Sequence, residues 1–186
     1  MAIEIDELRR LIETHRRMVF SLAVRIIGDY ATAEEVAQDV FLELHRSGDR
    51  LASEDHIRFW LRRVTVHRAT DALRSRSVRP EAAAEEWAED KHAIAAQRSS
   101  IGIQTRIEDL LRALPETLRV AIILRYQEEM LPDEIAALLD QPVATVKSHL
   151  QRGLKLLRRK AEVTMKEYVR EPSGRVEPAR GAASAC

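Results

Sequence analysis

In residues 143 to 159, "VATVKSHLQRGLKLLRR", one helical face is aliphatic and the other carries cations and hydrogen-bonding groups. Val146, Leu150, Leu154 and Leu157 recur at helical spacing, while Lys147, Ser148, Gln151, Arg152, Lys155 and Arg159 fall on the opposite side. Between Gln141 and Lys160 there are six Lys/Arg and no Asp/Glu, whereas residues 105 to 140 hold eight acids against four bases. The positive charge is therefore confined to one helix. Such a face can neutralise phosphates and present donors and acceptors to base edges in a major groove. An ordinary solvated face of a helical bundle is the competing explanation. A membrane-surface helix is disfavoured, because the apolar stripe lacks Trp or Phe.

What precedes this stretch favours DNA. Ile135, Ala136 and Leu139 share a face of a short helix, "DEIAALL", and only "DQPVA" separates it from the next. Pro132 suits the first helical turn, Thr145 is a candidate N-cap, and Ala136 is small enough to let a second helix cross closely. This is helix-turn-helix spacing.

A second basic surface lies upstream. From Arg58 to Arg79 there are seven arginines and one acid, Asp71, with Phe59, Trp60 and His67 interleaved. Arginine beside aromatic or imidazole rings suits single-stranded nucleic acid, whose exposed bases can stack. Trp60, however, falls on the inward stripe and also fits a core role. Catalytic chemistry has little to build on. The six histidines (15, 45, 56, 67, 92 and 149) offer no i,i+4 pair, and the one cysteine is Cys186. No Gly-rich phosphate loop or nucleophile motif is evident, so neither a metal, a cofactor, a small-molecule substrate nor an enzymatic activity is expected.

The elements that must position these surfaces are helices. Gly and Pro number six each among 186 residues, aromatics are 4%, and Ala, Leu, Arg and Glu are abundant. Leu8, Leu11, Ile12, Val19, Leu22, Ala23 and Ile26 predict a helix from Asp6 to Ile27, stopped by Gly28-Asp29. A second is predicted from Thr32, as N-cap, with Glu35 completing a capping box and Val36, Val40, Phe41 and Leu44 on one face. After the polar loop 46 to 55, a third runs from His56 to Ser75 with Ile57, Trp60, Leu61 and Val64 inward. Residues 76 to 104, with Pro80 and the acids Glu81, Glu85, Glu86, Glu89 and Asp90, read as a linker. Apolar periodicity resumes at Ile107, and the polar tail from Glu171 is expected to be disordered. Thirty Lys/Arg balance thirty Asp/Glu, so no bulk charge draws the chain to polyanions. No apolar run is long enough for a membrane span and the N-terminus has no signal-peptide core, so a cytoplasmic protein without membrane insertion is expected.

The segments "TAEEVAQDVFLELHR", "FWLRRVTVHRATDALRSR", "LRALPETLRVAIILRYQEEMLPDEIAALL" and "VATVKSHLQRGLKLLRR" resemble, in order and separation, the extracytoplasmic-function group of bacterial sigma factors, over about residues 7 to 162. The resemblance implies an all-α fold of two small domains: a three-helix region 2 (residues 1–76) and a helix-turn-helix region 4 (105–165). A flexible linker (77–104) would join them and a tail (166–186) would follow. It implies that Glu34, Glu35, Gln38, Asp39 and Phe41, acids with one exposed aromatic, dock on core RNA polymerase. Gly48, Asp49 and Arg50 in the loop, with Arg63, His67, Asp71 and Arg74 on the third helix, would hold the melted strand of the minus-ten element. Thr145, Lys147, Ser148, His149, Gln151, Arg152 and Lys155 would read the minus-thirty-five element as duplex. An anti-sigma factor is a further implied partner. The chain departs from the family at His67, where asparagine is usual, at Asp140 and Ala144, where glycine is, and at His149, where arginine is. Asp140 is expected to take a left-handed conformation, at a cost of about 1 kcal/mol relative to glycine. Two rivals stay open: an autonomous helix-turn-helix regulator, and a helical interaction protein with incidental basic faces.

Overall fold

A computed structural model describes residues 4–47, 53–78 and 101–170, and every regular element among them is helical. In chain order these are α1 (Ile5–Ile27), α2 (Tyr30–Ser47), α3 (Glu54–Val78), α4 (Ile101–Arg112), α5 (Glu116–Tyr126), α6 (Pro132–Leu139) and α7 (Val143–Arg170). Residues 171–186 and most of the segment expected to be a linker lie outside the described residues; 166–170, expected to belong to the tail, are instead the last turn of α7.

α1, α2 and α3 form the first bundle. Asp6 and Glu7 in the first turn of α1 and Arg25 in its last complement the helix dipole. Gly28 ends the helix in the left-handed region at φ 82°, its N–H bonded to the Val24 carbonyl at 2.7 Å. The entry to α2 differs from expectation. Asp29, not Thr32, is the cap: its carboxylate accepts the Thr32 N–H at 2.9 Å and the Thr32 hydroxyl as well. Both residue types cap well, and the hydroxyl of Thr32 is taken up as a donor one turn too late to cap. α3 likewise starts before His56, where Ser53 Oγ accepts the His56 N–H at 3.2 Å. Val19, Leu22 and Ile26 of α1, Val40 and Leu44 of α2 and Leu61 of α3 are fully buried against one another. Thr65 and Thr70 enter this core by donating their hydroxyls back to the Leu61 and Val66 carbonyls.

α4 to α7 form the second bundle. α4 already includes Ile101 and Gly102, within the span whose weak helix formers predict a linker. Glycine costs least in a first turn, where the N–H groups have no intrahelical acceptor. Ile123 and Leu124 of α5, Ile135 and Leu138 of α6, and Val146 of α7 make the core. Gly153 lets α7 lie close on α5, since a Cβ there would sit 2.8 Å from Ile122 Cγ1.

The bundles touch, and their buried residues form one continuous apolar cluster. Arg119 of α5 donates to the Ile26 carbonyl at the end of α1 (2.6 Å) and to the Arg112 and Leu114 carbonyls, capping orphan acceptors of two helices with one guanidinium. Burial pulls its pKa below the ordinary arginine value, an effect opposed by Glu116 and reinforced by Arg112. Gln127 Nε2 donates to Ser21 Oγ at 3.2 Å, and Arg62 of α3 pairs with Glu128. Gly28 is required here twice over, because a Cβ on it would meet Arg112 Nε at 2.7 Å.

Candidate nucleic-acid interface

The corner between α6 and α7 is tight. Pro132 opens α6, and Glu134 reaches back to accept the Leu131 N–H at 2.6 Å. Asp140 takes the left-handed conformation expected of it, φ 52° and ψ 49°, which lets the Ala136 carbonyl accept N–H groups from Asp140 and Gln141. α7 then begins at Val143, with the Pro142 carbonyl accepting from Thr145 and Val146. Thr145 is thus inside the first turn and not its cap. Pro142 already supplies the first carbonyl acceptor, so the helix starts three residues earlier than a cap at Thr145 would place it.

α7 divides as its sequence predicts. Val146 and Leu150 are buried, with Leu154 and Leu157 half-buried behind them. Lys147, Gln151, Arg152, Lys155 and Arg159 are exposed, and Thr145, Ser148 and His149 are half-buried at the edge of the same face. His149 is divided along its ring: Nδ1 is buried and has no protein partner. Neither Lys147, Ser148 nor Arg152 is turned into the core.

On α3, Arg58, Arg63, His67, Arg68, Asp71 and Arg74 are exposed, while Phe59 and Trp60 pack against the apolar core. The aromatics therefore serve packing, leaving the guanidinium groups and His67 at the surface. Several arginines are engaged: Arg68 with Glu43 at 2.8 Å, Arg74 with Asp71 at 3.7 Å and Glu116 at 3.2 Å, and Arg62 with Glu128 at 2.8 Å. The Arg68 and Arg74 pairs are solvated and weakly held. Gly48, Asp49 and Arg50 lie outside the described residues.

α2 presents Glu34, Glu35, Gln38 and Asp39 to solvent. Phe41 corrects an expectation: it is half-buried and packs on the core, and the exposed apolar side chain is Leu42, at 54% exposure. Positions 35, 38, 39 and 42 follow i, i+3, i+4, i+7, so Leu42 shares the acidic face whereas Phe41 packs on the apolar core. Among the described residues no group of His, Cys, Asp and Glu is placed to hold a metal ion, and no helix is long and apolar enough to cross a membrane.

This arrangement, a three-helix bundle with an arginine-rich helix followed by a helix-turn-helix with a cationic second helix, is matched in known proteins. Residues 11–79 match the family described as Sigma-70 region 2, and residues 104–157 that described as Sigma-70, region 4. The chain belongs to the sigma-70 family. Within it, the chain is an RNA polymerase sigma factor of the extracytoplasmic-function type, a factor that directs core polymerase to specific promoters and assists initiation. It is similar to RNA polymerase sigma-H factor of Pseudomonas aeruginosa, 27% identical over 168 residues covering 84% of this chain and 87% of the relative. It is also similar to the ECF RNA polymerase sigma factor SigW of Bacillus subtilis, 25% identical over 165 residues covering 83% and 88%. The sigma factor RpoE of Bartonella quintana, solved in complex with the anti-sigma factor NepR, shares the fold with a TM-score of 0.68 at 19% identity, over 86% of this chain and 99% of that one.

Two features of this sigma factor were not legible as function in the sequence. Leu42 carries the signal of an apolar residue on an acidic helical face, which a helical projection of α2 exposes. Gly153 carries no local signal, because the need for it comes from α5.

Proposed function

We propose that this sigma factor holds a promoter at two places with two separate helical surfaces while α2 anchors both to core polymerase. Lys147, Gln151, Arg152 and Lys155, with Thr145, Ser148 and His149 at the edge, read the upstream element as duplex. Their mixture of cations, hydroxyl and amide suits base edges as well as phosphates. Arg63, His67, Asp71 and Arg74 on α3, with Gly48, Asp49 and Arg50 in the segment before it, hold the melted strand of the downstream element. Residues 1–76 and 105–165 act as the two binding units, with 77–104 between them and 166–186 beyond. Glu34, Glu35, Gln38 and Asp39, joined by Leu42, form the docking face for a basic helical partner on polymerase.

The observation that carries this reading is the outward cationic face of α7, with Lys147, Arg152 and Lys155 exposed above a buried Val146 and Leu150 stripe. An autonomous helix-turn-helix regulator would need that face alone. The acidic face of α2 and the arginines of α3 have no purpose in it. The chain acts in the cytoplasm by binding, stabilising separated strands while polymerase performs the chemistry. It is held in check by an anti-sigma partner, the kind of protein with which its fold relative from Bartonella quintana was crystallised.

Permanganate footprinting of promoter DNA with core polymerase and the full chain tests the arrangement. Unpaired thymines near the start site are expected with the intact protein and are expected to diminish for Arg63→Ala/Arg74→Ala at unchanged upstream protection. Unchanged reactivity in that variant removes α3 from strand capture.

A further inference from the structure

Between α4, α5 and α7 lies a cavity of about 400 Å³. Leu110 of α4, Ile122 of α5 and Leu154 and Leu157 of α7 line it, with the small Ala161 one turn further along α7. Small-molecule sites commonly span about 300–1,000 Å³ and combine apolar walls with a few polar groups that fix orientation. Two of the large apolar side chains left exposed among the described residues, Ile107 at 47% and Tyr126 at 58%, line this same cavity. An apolar occupant would remove that surface from water.

The polar part of the lining is selective for charge. Arg25, in the last turn of α1, is half-buried and Arg158 of α7 is exposed. Neither has a hydrogen bond or ion pair with another described residue, whereas Arg62, Arg68 and Arg74 are each paired. Gln127, also in the lining, already donates its amide to Ser21 and Glu128. Among the described residues no Asp or Glu lines the cavity. The whole chain carries no net charge, so two guanidinium groups beside aliphatic walls are a local feature. Guanidinium is planar and donates in pairs to a carboxylate, and the Tyr126 hydroxyl is a further donor in the same lining.

We propose that this cavity is a binding site for an anionic amphiphile, a medium-chain aliphatic carboxylate whose tail lies on Ile122, Leu154 and Leu157 and whose head group is held by Arg25 and Arg158. The volume decides for a chain over a helix. It equals about one turn of a helix roughly 10 Å across, so a docking helix would leave most of itself outside, whereas a single acyl chain is narrow enough to enter whole. Burial of the tail supplies affinity, and the two cations select a negative head over a neutral or positive one. The site is separate from the residues proposed to touch promoter DNA and does not depend on that reading.

Decanoate, titrated below its micellar concentration into the methyl-labelled full chain, is the probe. Saturable one-to-one shifts are expected at the methyl groups of Ile122, Leu154, Leu157 and Ala161, together with a rise in thermal midpoint that follows occupancy. Decanol is expected to bind roughly tenfold more weakly at the same methyl groups, and decyltrimethylammonium not at all. Arg25→Gln/Arg158→Gln is expected to bring decanoate down to the level of decanol and leave decanol unchanged. Ala161→Phe, which fills the cavity from a half-buried position, is expected to abolish binding of both at unchanged helicity. Shifts that do not saturate, or that fall outside the lining, would overturn the site. So would full decanoate binding by Ala161→Phe. Equal binding of decanoate and decanol, or no loss in the double glutamine variant, would overturn its selectivity for an anion. Methyl groups that decanoate leaves unmoved but that purified core polymerase broadens would make the cavity a protein-docking groove and end the ligand reading.

Discussion

Arg152 projects from the exposed face of α7, and a guanidinium is the group best suited to fork onto the Hoogsteen edge of a guanine. Arg152→Ala is expected to weaken specific duplex binding by about 1–3 kcal/mol and to relax preference at one or two promoter positions, as selection from a randomised duplex pool would show. An equal loss on every sequence would reduce Arg152 to a phosphate contact. Gly153 faces the other way. Gly153→Ala is expected to lower stability by about 1–3 kcal/mol through the clash with Ile122, read as a fall in thermal midpoint. His15 adds a dependence on pH. It is buried on α1 with Nε2 unpartnered, and burial first, then the charges of Arg58 and Arg62, hold its pKa below the usual histidine value, with Glu54 opposing. Because the folded value is the lower one, the unfolded chain binds the proton first. The contribution of His15 is therefore complete above about 6.5 and lost as pH falls below it. Chemical denaturation at pH 7.5 and 5.5 is expected to show a smaller loss for His15→Gln than for the parent.

At the scale of elements, α2 has one job for each face. Val36, Val40 and Leu44 bury it against α1 and α3, and Glu35, Gln38, Asp39 and Leu42 are left outward. Reversing Glu35 and Asp39 to lysine is expected to abolish co-purification with core polymerase while leaving helicity unchanged, and Leu42→Ala to weaken it. Unaltered co-purification of the reversed variant would remove α2 from the docking surface. Much of this layer could be read from the chain. The period of Leu8 to Ile26 predicted α1 to within a residue, and Gly28 its end, because burying one face of a helix demands that repeat. The ends resisted. Thr32 and Thr145 are good caps in isolation, yet Asp29 lies closer to the first free N–H groups of α2 and Pro142 supplies the first acceptor of α7. Phe41 and Leu42 are adjacent and both apolar, but the helical period already puts Phe41 with Val36, Val40 and Leu44 on the face that packs on the core and Leu42 with Glu35, Gln38 and Asp39.

For the whole molecule, the division into an arginine-rich bundle and a helix-turn-helix bundle was legible, because each keeps its charge on its own exposed face. Their contact was not. Periodicity shows that Arg62 lies beside the inward stripe of α3 and that Glu128 lies in a turn, but nothing local pairs residues 66 positions apart. In the sequence Glu116 and Glu128 are simply two of the eight acids between 105 and 140, while in the folded chain they reach across to α3. Charge that looked free in the sequence is thus partly held within the protein.

The central claim is that these helical surfaces bring polymerase to particular promoters. In vitro transcription of genomic fragments by purified core polymerase, with and without the full chain, tests it most directly. Discrete start sites that appear only with the chain, and that share two sequence elements upstream, are the predicted result. Identical transcripts in both reactions would contradict it.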